Sequence, residues 1–247
     1  ENFVINCYSG TAAEQYARDN GFECHLLDTG EVIEKGDPTA AADGRHTCEE
    51  KGSACAVKRF KDIQSAEGDP NHSGIEFCLD NGTSDTPFSP DDSMTRAQFA
   101  TMFYRFAGSP ETSGNAAFTD LTEDWYKTPV AWAAANGILN GTGNNAFSPD
   151  AVITREQIAA IFYRYARSKG IDVSLDGSGT PEALESYNDY ADIDDYAKLP
   201  IAWCFDENVM YIHSVNGYEY ALYPKIAPSR ADTATMFLKF SYVINNP

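Results

Sequence analysis

Three arginines each stand directly after a hydroxyl residue, at the head of a recurring stretch. Arg96 follows Thr95 in MTRAQFATMFYRFA (94–107), Arg155 follows Thr154 in ITREQIAAIFYRYA (153–166), and Arg230 follows Ser229 in PSRADTATMFLKFS (228–241). A hydroxyl residue just before an apolar-periodic run is a helix N-cap signal, so each arginine is predicted at a first helical position. A helix start exposes unpaired backbone N–H groups and carries partial positive charge. A guanidinium fork added to that array suits bidentate pairing with a carboxylate better than a lysine would. The chemistry on offer is therefore anion binding. The plainer reading, which the residues alone favour, makes each arginine structural, paired with an acidic neighbour between repeats.

Other residues carry two readings as well. Trp125 could stack on a sugar face or fill a packing interface. Trp132 and Trp203 fall inside predicted helices and are expected in the core. Gly141 could admit a ligand close to the backbone or hold a positive-φ turn. A calcium-loop start at Asp172, Ser174, Asp176 and Gly177 has Ala183 where a bidentate glutamate is needed, so no metal site is expected. No G-x-S-x-G, H-E-x-x-H or phosphate-cradling glycine loop is present, and acidic pairs such as Asp91/Asp92 and Asp194/Asp195 read as solvated surface. The expectation is a non-enzymatic module without a cofactor.

The elements that must position these residues repeat too. Phe99, Met102, Phe103 and Phe106 lie at i, i+3, i+4 and i+7, as do Ile158, Ile161, Phe162 and Tyr165, and Thr233, Met236, Phe237 and Phe240. That spacing is one face of an amphipathic helix. Thr95 with Gln98 and Thr154 with Gln157 have capping-box spacing, and Ser229 with Asp232 is a looser form. Pro90, Pro149 and Pro224 mark the preceding turns. FKDI (60–63), FTDL (118–121) and YADI (190–193) open the three units. In the second unit PVAWAAAN (129–136) reads as a helix beginning at its proline and stopped by Gly137. Each unit is helix, irregular loop, helix, and three must pack together to bury their apolar faces.

Between the second and third units lies a polar surface linker, with one helical turn expected at 181–185. FVINCY and FECHLL near the N-terminus read as strands around a helical TAAEQYARDN, followed by an aperiodic stretch over 28–57. The expected organisation is an α/β segment at 1–27, a Cys-containing linker at 28–57, repeats at 58–108 and 116–168, the polar linker at 169–188 and a third repeat at 189–247.

Composition narrows the partners. The 247 residues carry 37 acidic and 18 basic side chains, a formal net charge of −19. Nucleic acid is excluded as a partner, since phosphate binding relies on a basic surface. No run is long and apolar enough to span a membrane. The start at Glu1, with no signal-like segment, reads as a mature product or excised fragment. Six cysteines lean towards disulfides and an oxidising exterior. Cys48–Cys55 is the easiest pair to imagine and Cys7–Cys24 the second, although connectivity is not fixed by sequence.

The succession F-x-D-[ILV], Trp, NGIxxG, F-x-P and [IM]TR[AE][EQ], repeated from about Arg59 to Asn245, resembles S-layer homology (SLH) domains. The resemblance implies a mainly α fold of three pseudo-symmetric helix-loop-helix repeats around a central three-helix bundle, with the small α/β segment ahead of it. It implies an extracellular station on a bacterial cell wall and non-covalent binding of secondary cell wall polysaccharide through a pyruvate-ketal sugar. It assigns ligand binding to Arg155, Trp125, Asp120 and Gly141 in the second unit, to Asp62, Gly82 and Arg96 in the first, and to Asp192 and Arg230 in the third. The first unit has no tryptophan at the place of Trp125; the third has Tyr196 there and lacks the glycine. CYSGTAAEQYARDNGF (7–22) resembles the closing unit of surface leucine-rich-repeat proteins, which implies the C-terminal part of a longer repeat protein. A protein–protein interaction module with degenerate sugar grooves is the alternative function.

Overall fold

The computed structural model describes residues 4–7, 23–26, 32–33, 71–80, 88–112, 116–175, 181–211, 213–214 and 220–245. The chain divides into two compact units, Glu1–Cys55 and Ala56–Pro247. In the first, β1 (Val4–Cys7) runs parallel to β2 (Glu23–Leu26), with Ile5 opposite Cys24. A short β3 (Val32–Ile33) pairs antiparallel with β2. β1 and β2 are the strands expected from FVINCY and FECHLL. β3 is too short to show alternation, which is why its stretch reads as aperiodic. The helix expected at 11–20 and the Cys48–Cys55 pair lie outside the described residues.

The second unit is helical: α1 (His72–Asp80), α2 (Arg96–Phe106), α3 (Asp124–Ala135), α4 (Arg155–Ser168), α5 (Pro181–Leu184), α6 (Asp195–Asp206) and α7 (Arg230–Asn245). A 3-10 turn at Tyr190–Asp192 and a hairpin of β4 (His213–Ser214) and β5 (Tyr220–Ala221) complete it. The chain is mainly α. Each repeat's first helix packs on the preceding repeat's second helix: α3 on α2 and α6 on α4, while α1 packs on α7. A helix pair drawn from one repeat would leave both apolar stripes open, so repeats bury each other.

The long helices α2, α4 and α7 meet through the i, i+3, i+4, i+7 residues. Phe99 and Phe237 have ring centroids 5.3 Å apart, Phe103 and Phe162 are 6.1 Å apart, and Phe162 stacks on Phe240 at 4.2 Å. All five rings are fully buried. Each contributes about 1.5–3 kcal/mol through burial. Both predicted capping boxes are formed: the Gln98 N–H donates to Thr95 Oγ1 at 3.2 Å, and Thr95 N–H returns to Gln98 Oε1 at 2.9 Å. In α7 the Asp232 N–H donates to Ser229 Oγ at 3.0 Å.

α3 begins five residues before Pro129, where sequence placed its start. Tyr126 Oη accepts from the Thr122 and Glu123 N–H groups at 3.1 and 3.2 Å, fixing an earlier first turn. Pro129 then removes a single internal donor. Pro200 holds the same place in α6. Trp132 and Trp203, 6% and 0% exposed, are core residues as expected. Gly74 marks the closest approach of α1 to α7, because a Cβ there would stand 2.6 Å from the Thr235 backbone. Cys78 and Cys204 are buried and stand outside any disulfide, so the expected disulfides do not include them. Burial inside the helix pair raises the Cys204 thiol above its ordinary range, keeping it an apolar filler.

Candidate ligand-binding site

The starts of the three long helices, expected as open anion sites, are closed by backbone. Arg96 and Ala97 N–H donate to the Ala151 and Pro149 carbonyls at 2.8 and 3.0 Å. Arg155 and Glu156 N–H donate to Ile226 and Pro224, both at 3.0 Å. Arg230 and Ala231 N–H donate to Asp92 and Pro90 at 2.7 and 3.0 Å. With the third N–H taken by the cap, each helix start is spent on the next repeat's F-x-P loop, since buried donors must be paired. The loop is shaped for this: Ser89, Ser148 and Tyr223, each just before its proline, adopt φ of 52°, 59° and 50°. A left-handed residue costs about 1–2 kcal/mol. Here it recurs at all three repeats.

The arginine side chains follow the same rule. Arg96 Nε donates to the Phe147 carbonyl at 2.9 Å and Nη2 to the Asn140 carbonyl at 2.7 Å. Arg155 Nε donates to Leu222 at 3.0 Å and Nη2 to Tyr211 at 2.8 Å. Arg230 Nε donates to Phe88. Arg96 and Arg155 are only 4% and 2% exposed, and burial lowers both guanidinium values while leaving them charged. The guanidinium carbons stand over rings: Arg96 over Phe147 at 4.7 Å, Arg230 over Phe88 at 5.2 Å and Arg155 over Tyr211 at 5.9 Å. Each arginine latches one repeat to the next through backbone carbonyls.

This latch regroups the residues that sequence assigned repeat by repeat. Asp120 accepts from Phe147 N–H at 2.8 Å and Ser148 N–H at 2.7 Å, so it holds the loop whose carbonyl receives Arg96. Asp120 and Gly141 thus belong with Arg96, not with Arg155 of their own repeat. Burial alone would raise the Asp120 carboxyl, but the two N–H donors and the Arg96 charge outweigh it and hold the value low. Gly141 has no positive φ; a Cβ there would stand 2.5 Å from Ala146 O and 2.6 Å from the Phe118 ring. Its missing side chain makes room for its own loop.

In the third repeat the counterpart of Asp120 is Asp189, not Asp192. Asp189 accepts from Leu222 and Tyr223 N–H at 3.0 and 2.7 Å, behind the carbonyl that receives Arg155. Asp192 sits exposed in the 3-10 turn. Two extra residues between this aspartate and the helix obscure the register, and YND (187–189) was the motif to match against FTD. Asp62 and Gly82 lie outside the described residues.

Trp125, the second residue of α3, is 53% exposed, and its ring meets Tyr126 edge-on at 4.8 Å. Tyr196 is the second residue of α6 and likewise exposed. Burial of its hydroxyl end and the Glu156 charge push the phenol up to about 12, and it lies within electrostatic reach of Arg96. Sequence reasoning missed Gln157, whose Oε1 accepts from Arg96 Nη1 at 3.2 Å while serving its own cap. It also missed Asp232, which takes the same helix position and accepts from Tyr211 Oη at 2.6 Å. A side chain at the third helical position carries a capping signal, and nothing in its spacing announces a second partner beyond its own cap. No helix of the described residues is long and apolar enough to cross a membrane.

The S-layer homology domain model matches residues 79–100 and 117–159, the span carrying Arg96, Asp120, Trp125, Gly141 and Arg155. The chain is 38% identical over 117 residues to an endoglucanase of Bacillus sp. (strain KSM-635), covering 47% of this chain and 12% of that protein. It is 26% identical over 187 residues to the surface-layer 125 kDa protein of Lysinibacillus sphaericus, covering 75% and 15%. It is 27% identical over 88 residues to a cellulosome-anchoring protein of Acetivibrio thermocellus, covering 34% and 20%. The chain thus spans at most a fifth of the length of these relatives. The matched motifs, the helical unit that contains them and these relatives agree: the chain carries an S-layer homology domain, and its station is the bacterial cell surface.

Proposed function

We propose that this chain anchors a surface protein non-covalently to the cell wall by binding secondary cell wall polysaccharide, whose pyruvylated terminal sugar supplies a carboxylate. The observation that carries this reading is the Arg96 guanidinium. It is buried, its three hydrogen bonds go to neutral oxygens, and no carboxylate stands in ion-pair range among the described residues. Asp120 is near, but its oxygens are turned to the Phe147 and Ser148 N–H groups. Burying a charge without a counter-ion is costly, and two of the five guanidinium N–H groups remain for an anion.

The proposed acid site is Arg96 with Gln157, the Asn140–Gly141 turn, the Phe147–Ser148 segment held by Asp120, and Tyr196 as its aromatic neighbour. Trp125 offers a sugar-stacking face at the corresponding point of α3. Arg155 with Asp189, and Arg230 with Phe88, repeat the frame with different side chains. The relatives named for surface layers and cellulosome anchoring support the anchoring role. The chain serves as an anchor rather than a catalyst, and the endoglucanase among its relatives is similar to it only over this module. We read residues 1–27, which carry the parallel β1–β2 pair, as the closing unit of a leucine-rich-repeat-like region.

Cosedimentation with purified, peptide-free wall polysaccharide tests the proposal. Retention that declines as free pyruvylated oligosaccharide is added is the expected result. A chain left in the supernatant, yet captured by a protein component of the wall, would instead establish the interaction-module alternative.

A further inference from the structure

Glu156 is the second residue of α4, and the same place in α2 and α7 is filled by Ala97 and Ala231. It is only 3% exposed. Lys225 Nζ donates to its Oε1 at 2.7 Å, Tyr196 Oη donates to the same oxygen at 3.3 Å, and Asp194 N–H donates to Oε2 at 3.2 Å. Lys225 also pairs with Asp194 Oδ2 at 2.8 Å. All three donors belong to the third repeat, and the carboxylate that fills them belongs to the second.

An ammonium, a phenol and a backbone N–H at a helix start converge on two oxygens, which is the donor set a free carboxylate requires. Two other helix starts make the same backbone junction with alanine, so a buried acid is no requirement of the packing. Lys225 follows Pro224 where Asp150 follows Pro149 and Asp91 follows Pro90. The acid and its cation therefore occur together at this junction and at neither of the others.

We propose that Lys225, Tyr196 and the Asp194 N–H form a carboxylate-binding cradle of the third repeat, that Glu156 is its built-in occupant, and that removing the Glu156 side chain opens the cradle to a small free carboxylate. As the chain stands, the occupant closes this junction to external acids. The cradle does not depend on the wall-polysaccharide reading, because its probe is acetate.

The test is the thermal midpoint of the whole chain carrying Glu156→Ala, in sodium acetate and in sodium chloride of equal ionic strength at neutral pH. Alanine keeps Cβ, and the volume lost is close to that of acetate. The variant is expected to melt below wild type and to regain at least half the loss in about 100 mM acetate but not in chloride, as ligand binding to the native state requires. Wild type should respond to the two salts alike. Lys225→Met added to Glu156→Ala should abolish the recovery. Equal midpoints of the single variant in both salts, or recovery that survives Lys225→Met, would overturn the proposal. Should Glu156→Ala not fold, the isosteric Glu156→Gln is read by acylation of Lys225 with a succinimidyl ester, mapped by mass spectrometry. Labelling several-fold faster than in wild type is expected, and an unchanged rate overturns the cradle.

Discussion

The junction of repeats one and two and the junction of repeats two and three share a backbone and differ in their side chains. In both, two helix-start N–H groups and one arginine are spent on carbonyls of the next repeat, behind a loop held by an aspartate, Asp120 or Asp189. Around Arg96 the neighbours are an amide, Gln157, and an alanine, Ala97. At the junction of repeats two and three the corresponding residues are two acids, Asp232 and Glu156, the first engaged by Tyr211 and the second by Lys225. The frame is thus set by main-chain hydrogen bonds that tolerate substitution around them. The side-chain difference between the junctions lies at two helix positions, the second and the third.

Removing the latch should have the largest effect. Arg155→Ala strands the buried Leu222 carbonyl and the half-buried Tyr211 carbonyl and is expected to cost about 3 kcal/mol. Urea unfolding checks this. Arg155→Lys should recover little, because a lysine ammonium cannot reproduce the planar fork. A loss below about 0.5 kcal/mol, the range of ordinary surface changes, would mean that the arginine does not hold the junction.

Gly141→Ala is expected to cost about 1–3 kcal/mol, because the added methyl meets Ala146 O and the Phe118 ring. Urea unfolding beside wild type checks this, and a loss below about 0.5 kcal/mol would mean that the loop has room for a side chain.

The smallest effect is acid sensitivity. The native carboxyl of Asp120 lies below its unfolded value near 3.9. Its contribution is therefore present above about pH 4 and fades as pH falls through the lowered native value. Asp120→Asn should be less stable than wild type at pH 7 and lose less stability on acidification. A pH series of urea midpoints should show the two curves converging towards low pH, and parallel curves would remove Asp120 from the loop's support.

What sequence could show was local. The i, i+3, i+4, i+7 phenylalanines, the Thr95 and Thr154 caps and the Gly137 stop all act within one helix, and all are in place. The core positions of Trp132 and Trp203 follow from the same periodicity. Pro129 misled because a proline can sit beyond a first turn that Tyr126 has already fixed. The site was less legible, since its residues come together across repeats. Arg96 meets the loop of Asp120, and Arg155 meets that of Asp189, whereas motif reading pairs residues within a repeat. YADI looks more like FTDL than YNDY does, so motif reading falls on Asp192 and passes over Asp189. The backbone partner of each aspartate, a loop N–H some thirty residues on, leaves no mark in sequence.

The most direct test of the anchor is calorimetric titration of a pyruvylated wall-sugar fragment into the whole chain, beside the same fragment stripped of its ketal by mild acid. The exposed Trp125 permits a binding-side control, since Trp125→Ala should fold normally. The account predicts heat with the pyruvylated fragment, none with the stripped one, and at least a tenfold weaker affinity for Trp125→Ala, about 1.4 kcal/mol. Equal binding of both fragments, or none of either, would contradict it.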